Sequence, residues 1–303
     1  MTMNVQSFFD SATSTFSYVV TDTETGRAAI IDSVLDYDPA SGRLSTESAD
    51  RLIDYVRRHD LVVEWILETH VHADHLTASG YLKAQLGGHT GIGNQVGTVQ
   101  KTFGALFNAE PGFACDGSQF DHLFADDELI RIGALECRVW HTPGHTPACV
   151  TYVFDGAAFV GDTIFMPDFG TARTDFPGGD AATLYRSVQR ILALPEDTNL
   201  YMCHDYATDE RADICCVTTV MEERASNIHV AKGTSETEFV EFREARDAAL
   251  AAPRLLMPSV QFNMRAGQPA PPESNGQHYI KTPLRMADAL SASLTEALKE
   301  RAA

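Results

Sequence analysis

Apolar residues along the chain fall into short blocks separated by turn signals, and the blocks form two successive sets. In the first set, residues 15–22 (TFSYVVTD) and 28–34 (AAIIDSV) predict two strands folded about Glu24-Thr25-Gly26 into a hairpin. Residues 36–48 are polar and predict a loop. Residues 49–59 predict a helix with Leu52, Ile53, Tyr55 and Val56 on its apolar face. The run 61–67 (LVVEWIL) reads as a buried strand, and 76–86 has the spacing of an amphipathic helix. Glycine-rich 87–97 predicts a short strand around Ile92, followed by a helix over 99–107 and a loop over 111–118.

The second set opens with a hairpin of 128–132 and 135–141 around Gly133-Ala134. A further hairpin follows, 148–154 and 157–160, around the strong turn signal Asp155-Gly156. Residues 181–194 predict an amphipathic helix stopped by Pro195, 200–203 a short strand, and 217–224 and 236–251 two helices. Beyond Pro253 the chain predicts irregular structure, apart from a helix near 286–301. No internal repeat is present. The order of hairpins and helix, then strand and helix, given twice, predicts an α+β protein with two sheets face to face and helices outside. Residues 1–252 are expected to form the catalytic domain, and 253–303 an extension packed on it.

Composition narrows the class. With 44% hydrophobic and 21% charged residues the chain can bury a sizeable core, and no apolar run approaches the roughly 18 residues of a membrane span. The first ten residues lack a basic stretch followed by an apolar one, so a cytoplasmic protein is expected. A net charge of −19 argues against a nucleic-acid partner, whose phosphates need a basic patch. An anionic substrate would need its own local arginines. The six cysteines have no zinc-ribbon or CxxC spacing and are expected as buried thiols, with Cys215 and Cys216 in a helix.

Chemistry concentrates at 70–75, where His70, His72, Asp74 and His75 directly follow the 61–67 strand. Imidazole and carboxylate suit zinc or iron. On extended chain His70 and His72 point the same way and can reach one ion, while Asp74 and His75 can reach a second. Three more strand ends deliver the same kind of ligand: His145 after the Pro143-Gly144 turn, Asp162 after Gly161, and His204. Singly, each is weak evidence, since a lone His204 is more often structural and a lone Asp162 a helix cap. The conjunction points to a metal site at one edge of a sheet sandwich. The remaining histidines read as surface or core residues, with His141 alone close enough for an outer-shell role.

HxHxDH, Gly-His, Gly-Asp and His, in that order over about residues 15–230, resemble the metallo-beta-lactamase superfamily. That resemblance implies a four-layer αββα sandwich with its metal site at the sheet edges. THVHADHL at 69–76, GTARTDF at 170–176, TLYRSV at 183–188, HDY at 204–206 and NMR at 263–265 further resemble the glutathione persulfide dioxygenases. The long C-terminal tail is similar to bacterial proteins labelled β-lactamase-like hydrolases. The dioxygenase resemblance implies one ferrous ion (Fe2+) held by His70, His145 and Asp162, with three coordination positions left for glutathione persulfide and dioxygen (O2). His72, Asp74, His75 and His204 would then be outer-shell groups, and Arg173, Tyr206, Met264 and Arg265 would line the glutathione pocket. Guanidinium groups suit the two glutathione carboxylates, although an ion pair with Asp175 is the competing role for Arg173.

All seven groups of a two-metal hydrolase are also present. In that alternative two zinc ions (Zn2+) are held, one by His70, His72 and His145, the other by Asp74, His75 and His204, with Asp162 bridging. A shared hydroxide would cleave a glutathione thioester, as in hydroxyacylglutathione hydrolase. Against it stand Leu76-Thr77-Ala78-Ser79, where many such hydrolases carry a glycine pair, and the missing basic, helical substrate domain. A sensing or scaffold protein with a vestigial site fits poorly with seven retained ligands, and a β-lactam hydrolase with the lack of a secretion signal. The loop 104–127 and the tail after Arg265 are candidates for covering the pocket or for building a homodimer contact.

Overall fold

A computed structural model describes residues 2–231, 233–284, 286 and 287. The first half contains β1 (Met3–Asp10), β2 (Thr15–Asp22), β3 (Arg27–Ile31), β4 (Val34–Asp38), β5 (Arg43–Ser45), α1 (Glu47–Arg58), β6 (Val62–Leu67) and β7 (Leu76–Thr77). Then come α2 (Ser79–Leu86), β8 (His89–Gly93), α3 (Val96–Leu106) and β9 (His122–Phe124). The second half holds β10 (Glu128–Ile132), β11 (Leu135–His141), β12 (Val150–Phe154), β13 (Ala157–Phe159), α4 (Ala181–Leu192) and β14 (Asn199–Tyr201). It ends with β15 (Val217–Thr219), α5 (Val220–Ser226), α6 (Glu236–Asp247) and α7 (Leu256–Asn263).

Two six-stranded sheets, β1-β2-β3-β6-β8-β9 and β10-β11-β12-β13-β14-β15, pack face to face. Their inner faces share one apolar core, in which Tyr18, Ile31, Leu67 and Phe124 of the first sheet meet Ile132, Val139, Tyr152 and Phe159 of the second. On the outer face of the first sheet, Leu52, Ile53 and Val56 of α1, Leu82 of α2 and Phe262 of α7 cover Val19, Ile30 and Ile66. On the other side Leu184, Val188 and Ile191 of α4 and Phe239 of α6 cover Ala158 and Leu200. The four layers are therefore helix, sheet, sheet, helix, the αββα arrangement expected.

The layering places the site. Strands β3, β6 and β8 run parallel, so the chain leaves β3 at Asp32 and β6 at Glu68 side by side. The second sheet reaches the same edge, where Val150 N–H donates to Thr69 O and Tyr152 Oη to Glu68 O. There Thr15 also bridges His204.

Several segments differ from their expected structure. Residues 36–48 contain the β4–β5 hairpin, which joins β7 as a small third sheet. Residues 76–77 are strand, paired with Val34 and Leu35, and α2 begins only at Ser79. Cys215 and Cys216 precede β15 in coil, because the Thr219–Glu222 capping box starts α5 later than 217. The region after Pro253 is not irregular at first: Leu256–Asn263 is a helix buried on nearly every face, and all-round burial leaves no polar period to read. The helix expected near 286–301 lies outside the described residues, except for 286 and 287.

Candidate metal centre

Asp32, just after β3, takes a left-handed backbone (φ 51°) that aims its carboxylate across to β6. Its Oδ1 accepts from Thr69 N–H at 2.8 Å and its Oδ2 from Thr69 Oγ1 at 2.9 Å. The chain from 70 to 75 is thereby held at the sheet edge. From the other side Asn263 of α7 pins the same loop: its Nδ2 donates to His72 O (2.9 Å) and His75 O (2.8 Å), and its Oδ1 accepts from Thr77 N–H (2.8 Å). Gly144 (φ 140°) lies against Leu184 of α4, where a Cβ would overlap the Leu184 backbone. Gly161 (φ 53°) lies as closely on Thr69. These two contacts bring His145 and Asp162 up to the histidine loop.

Every histidine of the cluster has one ring nitrogen tied down and the other left facing its neighbours. Nδ1 of His145 donates to Arg173 O at 2.8 Å, that of His75 to Leu76 O at 3.1 Å, and that of His204 to Ser14 O at 3.2 Å. A carbonyl can only accept, so these rings carry the proton on Nδ1 and a lone pair on Nε2. Thr69 Oγ1 spends its proton on Asp32, so it accepts from His70 Nδ1 (3.1 Å) and frees His70 Nε2 likewise. His72 is reversed: its Nε2 faces Asp32 Oδ1 (3.0 Å) and Glu68 Oε2 (3.4 Å), leaving Nδ1 to point inward. His70 Nε2, His72 Nδ1, His75 Nε2, His204 Nε2, Asp74 Oδ2 and Asp162 Oδ1 are buried with no hydrogen-bond partner. Buried polar atoms are almost always satisfied, so converging orphans of lone-pair type fit a bound cation.

Distances divide the cluster in two. His70 Nε2 and His145 Nε2 lie 3.8 and 3.7 Å from Asp162 Oδ2. His204 Nε2 lies 3.3 Å from Asp162 Oδ1 and 3.2 Å from Asp74 Oδ2. Asp162 thus faces both halves. Ligand atoms of His70, His145 and Asp162 lie within 4.8 Å of one another, as do those of His72, Asp74 and His75. Electrostatics favour ligation at His70 and His75. Burial, with like-charged histidines around it, holds His70 well below the usual imidazole range, and burial pushes His75 down to about 4, so both stay neutral. Burial acts the same way on His72, but Asp32 and Glu68 outweigh it and raise its pKa well above normal. The same two carboxylates make Nδ1 a more basic donor toward a metal.

A cavity of about 230 Å³ opens on this cluster, lined by Asp74, His145 and Asp162 together with Phe165, Phe169, Tyr206, Arg173, Arg243, Arg246 and Leu250. Of the expected pocket residues, Tyr206 and Arg173 are on its wall. The Arg173 guanidinium is engaged, however, with two 2.6 Å bonds to Asp175 and one of 2.7 Å to Ala251 O. Met264 and Arg265 are not among the lining residues. Met264 is fully buried beside Val99 and Phe103. Arg265 donates to Gln261 O and Glu110 and lies over Phe113, so it ties the 104–127 loop to α7. His141, bonded to Phe124 O, takes no part in the cluster.

Sequence reasoning missed Asp32, Glu68 and Asn263. Asp32 was within reach, since AAIID ends in a carboxylate just as the other ligand-bearing strands do. Cys203 was read as an ordinary buried thiol, yet its sulfur lies within 4.8 Å of ligand atoms of His72 and His204. Burial and the Asp32 carboxylate raise its pKa well above normal, so it remains a thiol. Also missed was the α6 pair. Buried Arg243 grips Asp247 (2.6 and 3.0 Å) and Thr171 O (3.0 Å), and Asp247 in turn accepts from Thr174 N–H and Oγ1. The pair braces the loop whose Arg173 carbonyl holds His145.

Comparison with known proteins agrees with this geometry. A protein from Burkholderia pseudomallei (strain 1710b) named probable metallo-hydrolase is 56% identical over 93% of this chain and 99% of its own. Glyoxylase B2 of Dictyostelium discoideum is 50% identical over 92% of this chain and 96% of its own. Human persulfide dioxygenase ETHE1, mitochondrial, is 33% identical over 88% of this chain and 90% of its own. The crystal structure of ETHE1 from Myxococcus xanthus superimposes with a TM-score of 0.70 at 30% identity, covering 88% of this chain and all of that one. The sequence pattern of the metallo-beta-lactamase superfamily matches residues 11–204. With the αββα layers and the clustered donors, that match makes the chain a member of the metallo-beta-lactamase superfamily.

Proposed function

We propose that this protein is a mononuclear non-haem iron dioxygenase that oxidises glutathione persulfide with dioxygen to sulfite and glutathione. The observation that carries the reading is which donors border the cavity. His145, Asp162 and Asp74 lie on its wall, and His70 converges with the first two from behind, whereas His72, His75 and His204 are not on the wall. A substrate in the cavity therefore meets two members of the His70–His145–Asp162 triad and, of the other donor group, Asp74 alone. The likeness to persulfide dioxygenases over most of the chain supports the same choice. Ferrous iron held by two imidazoles and a carboxylate supplies redox chemistry with dioxygen that zinc cannot.

The chain's own groups do the rest. Arg173 O and Thr69 Oγ1 fix the tautomers of His145 and His70, so that both Nε2 lone pairs would be available to hold an ion without rearrangement. Phe165, Phe169 and Tyr206 wall the cavity and limit water around the reacting sulfur. Asp74, on the cavity wall, and His204, 3.2 Å from it, can hold the water and take up the proton of the hydrolytic step that releases sulfite.

A second reading, a dinuclear zinc hydrolase of a glutathione thioester, is favoured by the unpaired atoms of Asp74, His75 and His204 and by the relatives named as a metallo-hydrolase and a glyoxylase. Metal analysis and oxygen uptake on anaerobically prepared protein separate the two. The dioxygenase reading expects one iron per chain and oxygen consumption with glutathione persulfide. Two zinc ions with thioester cleavage and no oxygen uptake would overturn it. His145→Ala should abolish iron binding at the mononuclear site and cost one of the two cations of a dinuclear one, while His204→Ala should release a cation only from the dinuclear site.

A further inference from the structure

We propose that Arg246 is the carboxylate-binding residue of the cavity, so that the substrate is an anionic thiol compound recognised by charge at α6. The inference rests on the persulfide reading for the reacting sulfur, but its own grounds are separate. Three arginines line the cavity. Arg173 already holds Asp175 through two bonds and Ala251 O through a third. Arg243 already holds Asp247 and Thr171 O. Asp247 is 4% exposed, so drawing Arg243 away would leave a buried carboxylate unpaired. These two guanidinium groups are therefore structural braces, whatever their position on the wall.

Arg246, in the last turn of α6, is exposed at the same cavity, and no side-chain hydrogen bond or ion pair engages it among the described residues. Its charge lies near enough to Arg243 and His229 to help lower their pKa values. An uncompensated cation stands out on a chain of net charge −19. Around it the acidic groups are taken: Asp175 and Asp247 have their own arginines, and Asp74 and Asp162 face the metal cluster. Among the arginines that line this cavity, a substrate carboxylate finds an open guanidinium fork only at Arg246. The aromatic wall of Phe165, Phe169 and Tyr206 suits the uncharged part of the same molecule.

The test measures binding and turnover separately, on iron-loaded, full-length protein. Titration calorimetry compares glutathione with its diethyl ester, in which both carboxylates are blocked. Wild type should prefer the free acid about tenfold. Arg246→Gln should erase that preference, Arg246→Lys should keep part of it, and added salt should weaken it. In oxygen uptake with glutathione persulfide, Arg246→Gln should raise KM by a similar factor with kcat little changed. Equal binding of acid and ester by wild type, or an undiminished preference in Arg246→Gln, overturns the inference. Absence of oxygen uptake by wild type overturns the persulfide reading instead, and leaves the acid–ester comparison to decide the role of Arg246.

Discussion

Asn263 holds the histidine loop from a helix nearly 200 residues away in sequence, and Asn263→Ala tests how much depends on it. Three hydrogen bonds are lost, to Thr77 N–H, His72 O and His75 O, all at 2.8–2.9 Å. Asn263, Thr77, His72 and His75 are each 3% exposed or less, so the stranded groups cannot simply turn to solvent. A buried group left without its partner costs about 1–3 kcal/mol. Three of them, less what one entering water recovers, give a loss on the order of 4 kcal/mol. Asn263→Asp should be no better, because it sets a carboxylate oxygen against two carbonyls while keeping only the Thr77 bond. Urea unfolding of metal-free protein measures the stability, and a chelator competition measures the affinity of the loosened loop for metal. A loss below about 1 kcal/mol with unchanged metal affinity would show that α7 merely covers the loop.

Other outcomes follow from neighbouring contacts. Asp32→Asn removes the carboxylate that orients His72 and Thr69, and should weaken metal binding roughly 10–100-fold in chelator competition; an unchanged affinity would refute that role. Gly144→Ala places a methyl on the Leu184 backbone at a φ of 140°, and should lower stability by roughly 2–4 kcal/mol; thermal unfolding within a degree or two of wild type would contradict it. Burial pushes Glu223 up to about 8, so the folded chain keeps a proton that the unfolded chain gives up from the ordinary carboxyl range. Stability from this group is present at low pH and lost as pH rises toward 8, by a few kcal/mol. Glu223→Gln should therefore be more stable than wild type at pH 8.5 and equal to it near pH 4; the same gap at both pH values would refute the assignment.

Much of the fold was legible because local pattern and tertiary environment agree. The hairpin 128–132/135–141 has the bounds of β10 and β11, since a glycine turn there separates two alternating runs that each bury one face. What escaped notice has identifiable causes. Strand β1 (MNVQSFFD) lies at a sheet edge and is only half buried, so it lacks a continuous apolar signal. Helix α7 carries Pro258 in its first turn, where the lost N–H is harmless, and polar residues such as Asn263 sit fully buried within it. The ligands were readable because each follows a strand in a short turn. Most of their supports were not, because Asn263 and the Arg243–Asp247 pair act through contacts with loops up to 191 residues away.

During synthesis the histidine loop leaves the ribosome long before Asn263 exists to fasten it. Its six residues can acquire their final shape only after the helix carrying Asn263 has emerged and docked. A nascent chain stalled before that point would lack the three bonds that fix the loop and would present loose imidazoles rather than a formed receptor for a cation.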